Sequence, residues 1–523
     1  MRRSLTVAVA AAIIAAPIGW AAPATAADAR AEGSWSMVPQ SKDANDDGII
    51  DGDGGVPRRG ALSSQPSADI VGAGNHVAQP NERLIGGSLS WYLTDRGFPV
   101  RLDACASTGA RYRWTARPMS GPSTVLPWAT LEAGACSRTA FLPEGAYELV
   151  LEVRAGGSRD REVIRADVRN ILVVALGDSY ASGEGNPRNV KAWLREGGSF
   201  TPYWDDDACH RSARGGPAQA ALLLEESSPT TSVTLVDVTC SGASVDAGVL
   251  GPQRAAGQPT SQVERARAFV GDRVVDLVTL SVGGNDVGFT SVLEACALNS
   301  DCPLVRASSG PLRAYPRIQD GVQAETGALA AKYRRIAACL GGDPCLLADG
   351  RTVPGIRLDA DSRVLPTLYP DITRRADGSA CTYLTIDSAE FAWARQTILV
   401  PNPVSPYTYP LSRGGTVSLS VAQGSLNQQV AATTALPGWR PVIGTWSASG
   451  ESAVGHGVCA GDEAWAFGAT LLSSLPSASF HPNVTGQRVA ASALTAAMLA
   501  ALPDATRAGR GLLRVVALAI SRR

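Results

Sequence analysis

The stretch Ile171-Leu-Val-Val-Ala-Leu-Gly-Asp-Ser-Tyr-Ala-Ser-Gly-Glu-Gly-Asn186 constrains the fold more than any other part of the chain. An apolar run with no polar alternation has no side to offer water. It therefore reads as a strand covered on both faces, the usual condition of a parallel sheet. The run stops at Gly177-Asp178-Ser179, which brings a serine to the end of that strand. Three turn residues after a strand are by themselves only a turn. Here a second apolar run leads into Ser281-Val-Gly-Gly-Asn285-Asp286, and Phe480-His481-Pro-Asn-Val-Thr-Gly486 follows far downstream. A hydroxyl, an amide donor and an imidazole are thus all supplied. That is the inventory of an enzyme.

From 171 onward, apolar segments alternate with helical spacing. Strands are expected at 171–176, 233–238, 274–280, 363–369 and 439–444. Helices are expected at 217–227, 261–270, 321–340, 427–434 and 484–499. This order predicts an α/β domain over 171–503, with a mostly parallel sheet between helical layers. Ligands of such folds lie beyond the carboxyl ends of the strands, where Ser179, Gly242 and Asn285 fall. Residues 400–416, rich in Pro and Tyr, read as a long surface loop near that edge. Between 86 and 170, short alternating runs at 88–93, 112–116, 146–153 and 161–168 predict a small β-sandwich domain without catalytic residues. The tail at 504–523 reads as a docked or frayed terminal helix, with lipid-interface contact as the alternative.

The ends of the chain and its cysteines point to one compartment. Arg2-Arg3, an apolar run broken by Pro17, and Ala24-Thr25-Ala26 have the form of a cleaved export signal over 1–26. No later segment has the length of a membrane span. Ten cysteines agree with an oxidising destination. Their spacing suggests the pairs Cys105–Cys136, Cys209–Cys240, Cys296–Cys302, Cys339–Cys345 and Cys381–Cys459. A nested arrangement of the middle four competes with this. The formal net charge of -1 gives no reason to expect a nucleic-acid partner. Of 47 basic residues only Lys42, Lys191 and Lys332 are lysines.

The irregular segment 27–85 contains Asp43-Ala-Asn45-Asp-Asp47-Gly48-Ile49-Ile-Asp51-Gly-Asp53-Gly54. Asp43, Asn45, Asp47, the Ile49 carbonyl and Asp51 match the first ligand positions of a calcium loop, and Gly48 matches its turn. The twelfth position is Gly54 where a glutamate belongs. A structural calcium is expected, against the competing reading of a solvated acidic linker.

The blocks Gly177-Asp178-Ser179-Tyr180, Cys240-Ser-Gly242-Ala, Gly283-Gly284-Asn285-Asp286 and His481-Pro482-Asn483, in this order, resemble the GDSL/SGNH hydrolase superfamily in its secreted bacterial lipase/esterase branch. The resemblance covers about 171–500. It implies a three-layer fold and a Ser179 nucleophile with His481 as its base. The oxyanion hole would be the N–H groups of Ser179 and Gly242 and the amide of Asn285. Family triads commonly carry Asp three residues before the histidine, and here that position is Ala478. A Ser179–His481 dyad is therefore expected, its imidazole oriented by a main-chain carbonyl near Ala478 or Ser479, with Asp462 or Glu463 as the rival acid.

A serine hydroxyl needs a neutral imidazole to become a nucleophile. Four histidines are present, His76, His210, His456 and His481. His76 reads as a loop residue, and His210 and His456, each beside a cysteine, as fixing loops around the pocket. Gly-x-Ser-x-Gly is absent around Ser179, which argues against the α/β-hydrolase elbow. No Walker loop or Gly-x-Gly-x-x-Gly at the first strand end supports a nucleotide cofactor. The expected activity is hydrolysis of carboxylic esters, acyl lipids foremost, with no cofactor in the chemistry. A carbohydrate or small-acyl deacetylase and a non-catalytic extracellular binding protein are the rivals.

Overall fold

The computed structural model describes residues 28–38, 97–190, 201–342, 344–400, 402–443, 447–448, 451–452, 455–470 and 475–502. The expected export signal, His76, the acidic loop with Asp43, Asn45, Asp47, Ile49 and Asp51, the strand expected at 88–93 and the tail 504–523 lie outside them.

The chain is a mixed α/β protein with several sheets, one of them parallel. It forms two compact units. Of the described residues, the smaller takes 28–34, Leu102–Arg138 and Glu148–Arg165, and the larger takes the rest. In the smaller unit the strand Arg111–Pro118 pairs antiparallel with Thr124–Val125 and Ala129–Thr130. It buries Tyr112 and Trp114, and the Tyr112 hydroxyl donates to the Ala135 carbonyl at 2.7 Å. The Cys105–Cys136 disulfide closes the same unit.

The larger unit is built on four parallel strands: β1 (Asn170–Gly177), β2 (Ser232–Asp237), β3 (Leu277–Ser281) and β4 (Arg363–Pro366). Their order is β2-β1-β3-β4. Every residue of β1 is buried. The strand alternation divides its side chains between two cores. Leu172, Val174 and Leu176 pack with helices α3 (Gln262–Val270), α4 (Phe289–Leu298) and α5 (Ile318–Cys339). Helices α6 (Ser388–Ala394) and α7 (Leu426–Ala432) add Phe391, Trp393, Leu426 and Val430 to that core. Ile171, Val173 and Ala175 pack with α2 (Gly216–Glu226) and α8 (Val484–Ala501). Each buried Leu or Val contributes roughly 1.5–3 kcal/mol, so β1 anchors both sides at once.

Two expectations are corrected. Of the strand expected at 439–444, the described residues 439–443 do not form a regular strand, although Trp439 and Val442 make parallel bridges to Val364 of β4 and to Thr367 just after it. The segment 400–416 is only partly loop. Strands β5 (Tyr407–Pro410) and β6 (Thr416–Leu419) form an antiparallel hairpin that buries Tyr409, because alternation of Tyr and Thr suits a half-buried ribbon. Helix α4 is not among the helices expected from the sequence. Its apolar residues occupy two sides, so no single stripe marks it. The five cysteine pairs are joined as their spacing suggested, and the nested alternative does not occur. Disulfides fit an oxidising compartment. Among the described residues no helix is long and apolar enough to cross a membrane.

The carboxyl end of β1 is closed by polar groups. The Gln262 side chain, at the start of α3, donates to the Gly177 carbonyl and accepts from the Gly177 N–H, both at 2.8 Å. Gly177 has φ +148°, and a Cβ there would lie 2.4 Å from the Ser281 carbonyl oxygen. Gly177→Ala is expected to push β1 from β3 and to destabilise the protein by roughly 1–3 kcal/mol. Thermal or urea unfolding reads this directly, and a variant as stable as the parent would contradict the packing.

Candidate active site

Past Gly177 the chain turns at once. Asp178 caps the short helix α1 (Ser179–Ser182), its side chain accepting from the Tyr180 N–H at 3.0 Å. Ser179 is therefore the first helical residue, and its N–H lacks an intrahelical acceptor. The Asp178 carboxylate also accepts from the Tyr369 hydroxyl and from Ser281 Oγ at 3.3 Å. Burial pushes its carboxyl up to about 7, against these donors. Tyr369 uses the same hydroxyl oxygen to accept the Gly284 N–H at 3.0 Å. The serine turn and the asparagine turn are thus held through one phenol.

Gly242 sits just past β2. The Cys209–Cys240 disulfide pins its loop, and the Cys240 N–H donates to the Gly177 carbonyl at 3.0 Å. Gly242 has φ +80°, and a Cβ would find only ordinary contact with Gln253. Backbone conformation, rather than space, calls for glycine here. Asn285 donates from Nδ2 to the Ala243 carbonyl at 2.9 Å, which aims its amide and leaves the second N–H of that group. Next to it, buried Asp286 accepts the Val245 N–H at 3.1 Å and the Lys332 ammonium at 2.8 Å. One of three lysines in the chain is committed to this bond.

His481 follows Phe480, which holds φ +61°. Four contacts fix this turn. The Tyr180 hydroxyl donates to the Phe480 carbonyl at 2.9 Å, and Asn186 Nδ2 donates to the Pro482 carbonyl at 2.7 Å. The Phe467 and Phe480 N–H groups donate to the His481 and Phe467 carbonyls. Asn483 then caps α8. His481 Nδ1 lies 3.0 Å from the Ser479 carbonyl, so Nδ1 carries the proton and Nε2 is the free acceptor. The orienting group is a carbonyl at one of the two positions expected. Glu463 meets a different histidine, its carbonyl bonding His456 Nδ1 at 2.7 Å, while His456 stacks on Trp465. Burial lowers His481 below the ordinary imidazole value, against the pull of the Glu184 carboxylate and the Ser479 and Ser477 carbonyls.

Ser179, Gly242, Asn285 and His481 all line one cavity of about 500 Å³, within the range usual for small-molecule sites. Along one wall, Phe289, Leu293, Ala297 and Leu298 of α4 present an apolar face. Sequence reasoning passed over this face, and over Glu184 and Lys332. Glu184 was visible inside Gly183-Glu184-Gly185, but nothing in the sequence shows what a lone carboxylate will meet. Among the described residues one group of potential metal ligands is close enough to act together, Cys296, Cys302 and Glu390. Its two sulfurs are bonded to each other, and Glu390 accepts the Cys302 N–H.

No protein-family model matches the chain, and no curated protein matches it. Among solved structures, the chain is similar to one described as a novel carbohydrate acetylesterase from Xanthomonas citri, at 12% identity and a TM-score of 0.20. The match covers 66% of this chain, which spans 64% of that enzyme's length. A likeness so slight carries no argument about chemistry.

Removing the ammonium beside Asp286 leaves a buried carboxylate without its cation. Lys332→Met should therefore cost about 3 kcal/mol of stability. Urea denaturation of the two proteins measures it, and a loss below about 0.5 kcal/mol would show that Asp286 is solvated or neutral.

Proposed function

We propose that this chain is a hydrolase of carboxylic esters, with Ser179 as nucleophile and His481 as general base. The observation that carries this reading is the convergence of Ser179, Gly242, Asn285 and His481 on one cavity, from strand ends and a loop about 300 residues apart. Helices packed on both sides of the parallel sheet support the three-layer arrangement that the sequence resemblance implies.

In the first step the Ser179 oxygen bonds to the acyl carbon while its proton passes to Nε2 of His481. The carbonyl electron pair moves onto oxygen. The Ser179 and Gly242 N–H groups donate to no acceptor among the described residues, and with the remaining N–H of Asn285 they are the candidates to receive that charge. Removing one such donor typically costs about 10²–10³ in rate. Collapse of the adduct breaks the bond to the alkoxide, which takes the proton from His481. Water, deprotonated by the same Nε2, then releases the acid. The apolar face of α4 supports acyl chains longer than acetyl, which would lie along Phe289 and Leu293.

A fluorophosphonate should label the parent protein on Ser179 and fail to label Ser179→Ala. Labelling that persists in the variant would sink the assignment. With a panel of esters running from acetyl to long acyl, kcat/KM is expected to rise with chain length. A maximum at acetyl would favour the small-acyl or carbohydrate deacetylase instead.

Only neutral imidazole can accept the serine proton. Because the folded protein holds His481 below 6.5, activity should be lost on acidification with a midpoint under that value and level off toward neutral pH. A pH–rate profile that keeps rising through pH 8 would exclude His481 as the titrating base.

A further inference from the structure

Glu184 is 1% exposed, lines the same cavity and follows the nucleophile by five residues. Oε2 is bonded to His210 Nδ1 at 2.8 Å, and Oε1 has no partner at hydrogen-bond distance. His210 is itself immobilised, stacked on Trp204 with ring centroids 4.9 Å apart, and tied through neighbouring Cys209 to the Gly242 loop. Burial works to raise the Glu184 carboxyl. The bond from His210, the charges of the His481 and His210 rings and the nearby Ser241 side chain nevertheless hold it below the usual carboxylate range. A buried, ionised carboxylate with an idle oxygen is costly to keep, so it needs a reason.

Its surroundings supply one. Gly185 packs so tightly on the His481 loop that a Cβ would come within 3.0 Å of the Ala478 Cβ. Ala478 is the position three residues before the imidazole, where a triad acid would stand. Asn186 Nδ2 bonds both the Glu184 carbonyl, at 3.1 Å, and the Pro482 carbonyl, at 2.7 Å, and so locks the two segments together.

We propose that Glu184 is a positioning residue for His481: held by His210, its carboxylate supplies from the nucleophile's own turn the negative charge that Ala478 does not. This rests on the ester-hydrolase reading above. The charge acts through space on the imidazolium that forms when Nε2 takes the Ser179 proton. The proton itself stays on His481 until the alkoxide leaves, and Glu184 does not bind it. The other titratable groups on the cavity are Asp178, Tyr180, Tyr369 and Glu294. Asp178 is occupied by three donors, and burial keeps both phenols protonated. Glu294 is bonded to Ser308 and Ser309 at the exposed rim. Behind Glu184, Asp206 and Asp207 act on His210.

The test follows the four histidine rings by NMR in the full-length Ser179→Ala protein, with no substrate present. Glu184→Gln should move the His481 midpoint to lower pH by about one pH unit. His210→Gln, which keeps a donor to Glu184 and removes a competing cation, should move it the other way. A midpoint unmoved by either change overturns the proposal, and the second variant decides should the first not fold. With Ser179 intact, Glu184→Gln should lower kcat about tenfold at constant KM, as removal of a transition-state interaction does. A raised KM at unchanged kcat would make Glu184 a substrate contact and equally overturn it. Failure of the ester-hydrolase reading would show separately, as a parent protein that fluorophosphonate does not label.

Discussion

The carboxylate of Asp178 is the point on which the sheet and the cavity both depend. The Asp178 N–H extends the β1–β3 ladder by donating to the Ser281 carbonyl at 2.8 Å, and the side chain gathers the Tyr180 N–H, Ser281 Oγ and the Tyr369 hydroxyl. Through Tyr369 the same group reaches the N–H of Gly284, the residue directly before Asn285 in the turn that follows β3. One side chain therefore fixes the Ser179 helix, the end of β3 and the asparagine turn relative to one another. Hydrogen bonds to a charged group contribute about 1.5–3 kcal/mol each. Three of them still leave the carboxyl raised to about 7, so desolvation is the larger effect at this site. The arrangement tolerates that because each donor needs an acceptor whether or not the carboxyl carries a full charge.

Three buried carboxylates around the cavity meet the cost of burial in different ways. Asp178 has donors and no cation, and its carboxyl rises. Asp286 has Lys332, yet burial still outweighs the ammonium at the carboxyl and raises it. Seen from the lysine, burial works against the ammonium, but Asp286, Asp246 and Glu325 hold it above its ordinary value. Glu184 alone of the three is held below its ordinary range, and it is the one that interacts with His481. Charge is retained at the carboxylate that acts on His481, the ring that would become positive in the proposed reaction. Where the task is only to tie loops together, burial is left to weaken it.

What could be read from the sequence follows from how local each signal is. The strand leading to Ser179 was legible because a run buried on both faces leaves an unbroken apolar word. The helices α3, α5, α7 and α8 were legible to within a few residues because each keeps a side partly open to water, and α2, buried almost throughout, was legible by its run of Ala and Leu. Helix α4 was not, since Val292, Ala295 and Cys296 face the core while Phe289, Leu293 and Ala297 face the cavity. The Ser179, Gly242, Asn285 and His481 blocks were found by their order along the chain. The pairings Glu184–His210 and Asp286–Lys332 were not, because they join residues 26 and 46 positions apart with no motif to link them. The rarity of lysine is a matter of composition, and the pairing of Lys332 with buried Asp286 shows only in the fold.

A carbonyl in place of a triad carboxylate separates two tasks that an acid performs together. Orientation and tautomer need only an acceptor, and the Ser479 carbonyl provides it at 3.0 Å. Holding that carbonyl in place has a cost: Phe480 stands at φ +61°, a conformation disfavoured by about 1–3 kcal/mol for a residue with a Cβ. The Tyr180 hydroxyl bonded to the Phe480 carbonyl offsets this, and it comes from the residue directly after Ser179. Stabilising the imidazolium, in contrast, needs charge, which a neutral dipole provides weakly. Separating the tasks keeps the resting imidazole neutral, since burial lowers it and the partner at Nδ1 carries no full charge. The geometry of the His481 ring is thus set by its own loop and by the Ser179 turn together. The Ser179 turn and the His481 loop are tied together by the same few hydrogen bonds, and a change that loosens one of them loosens both.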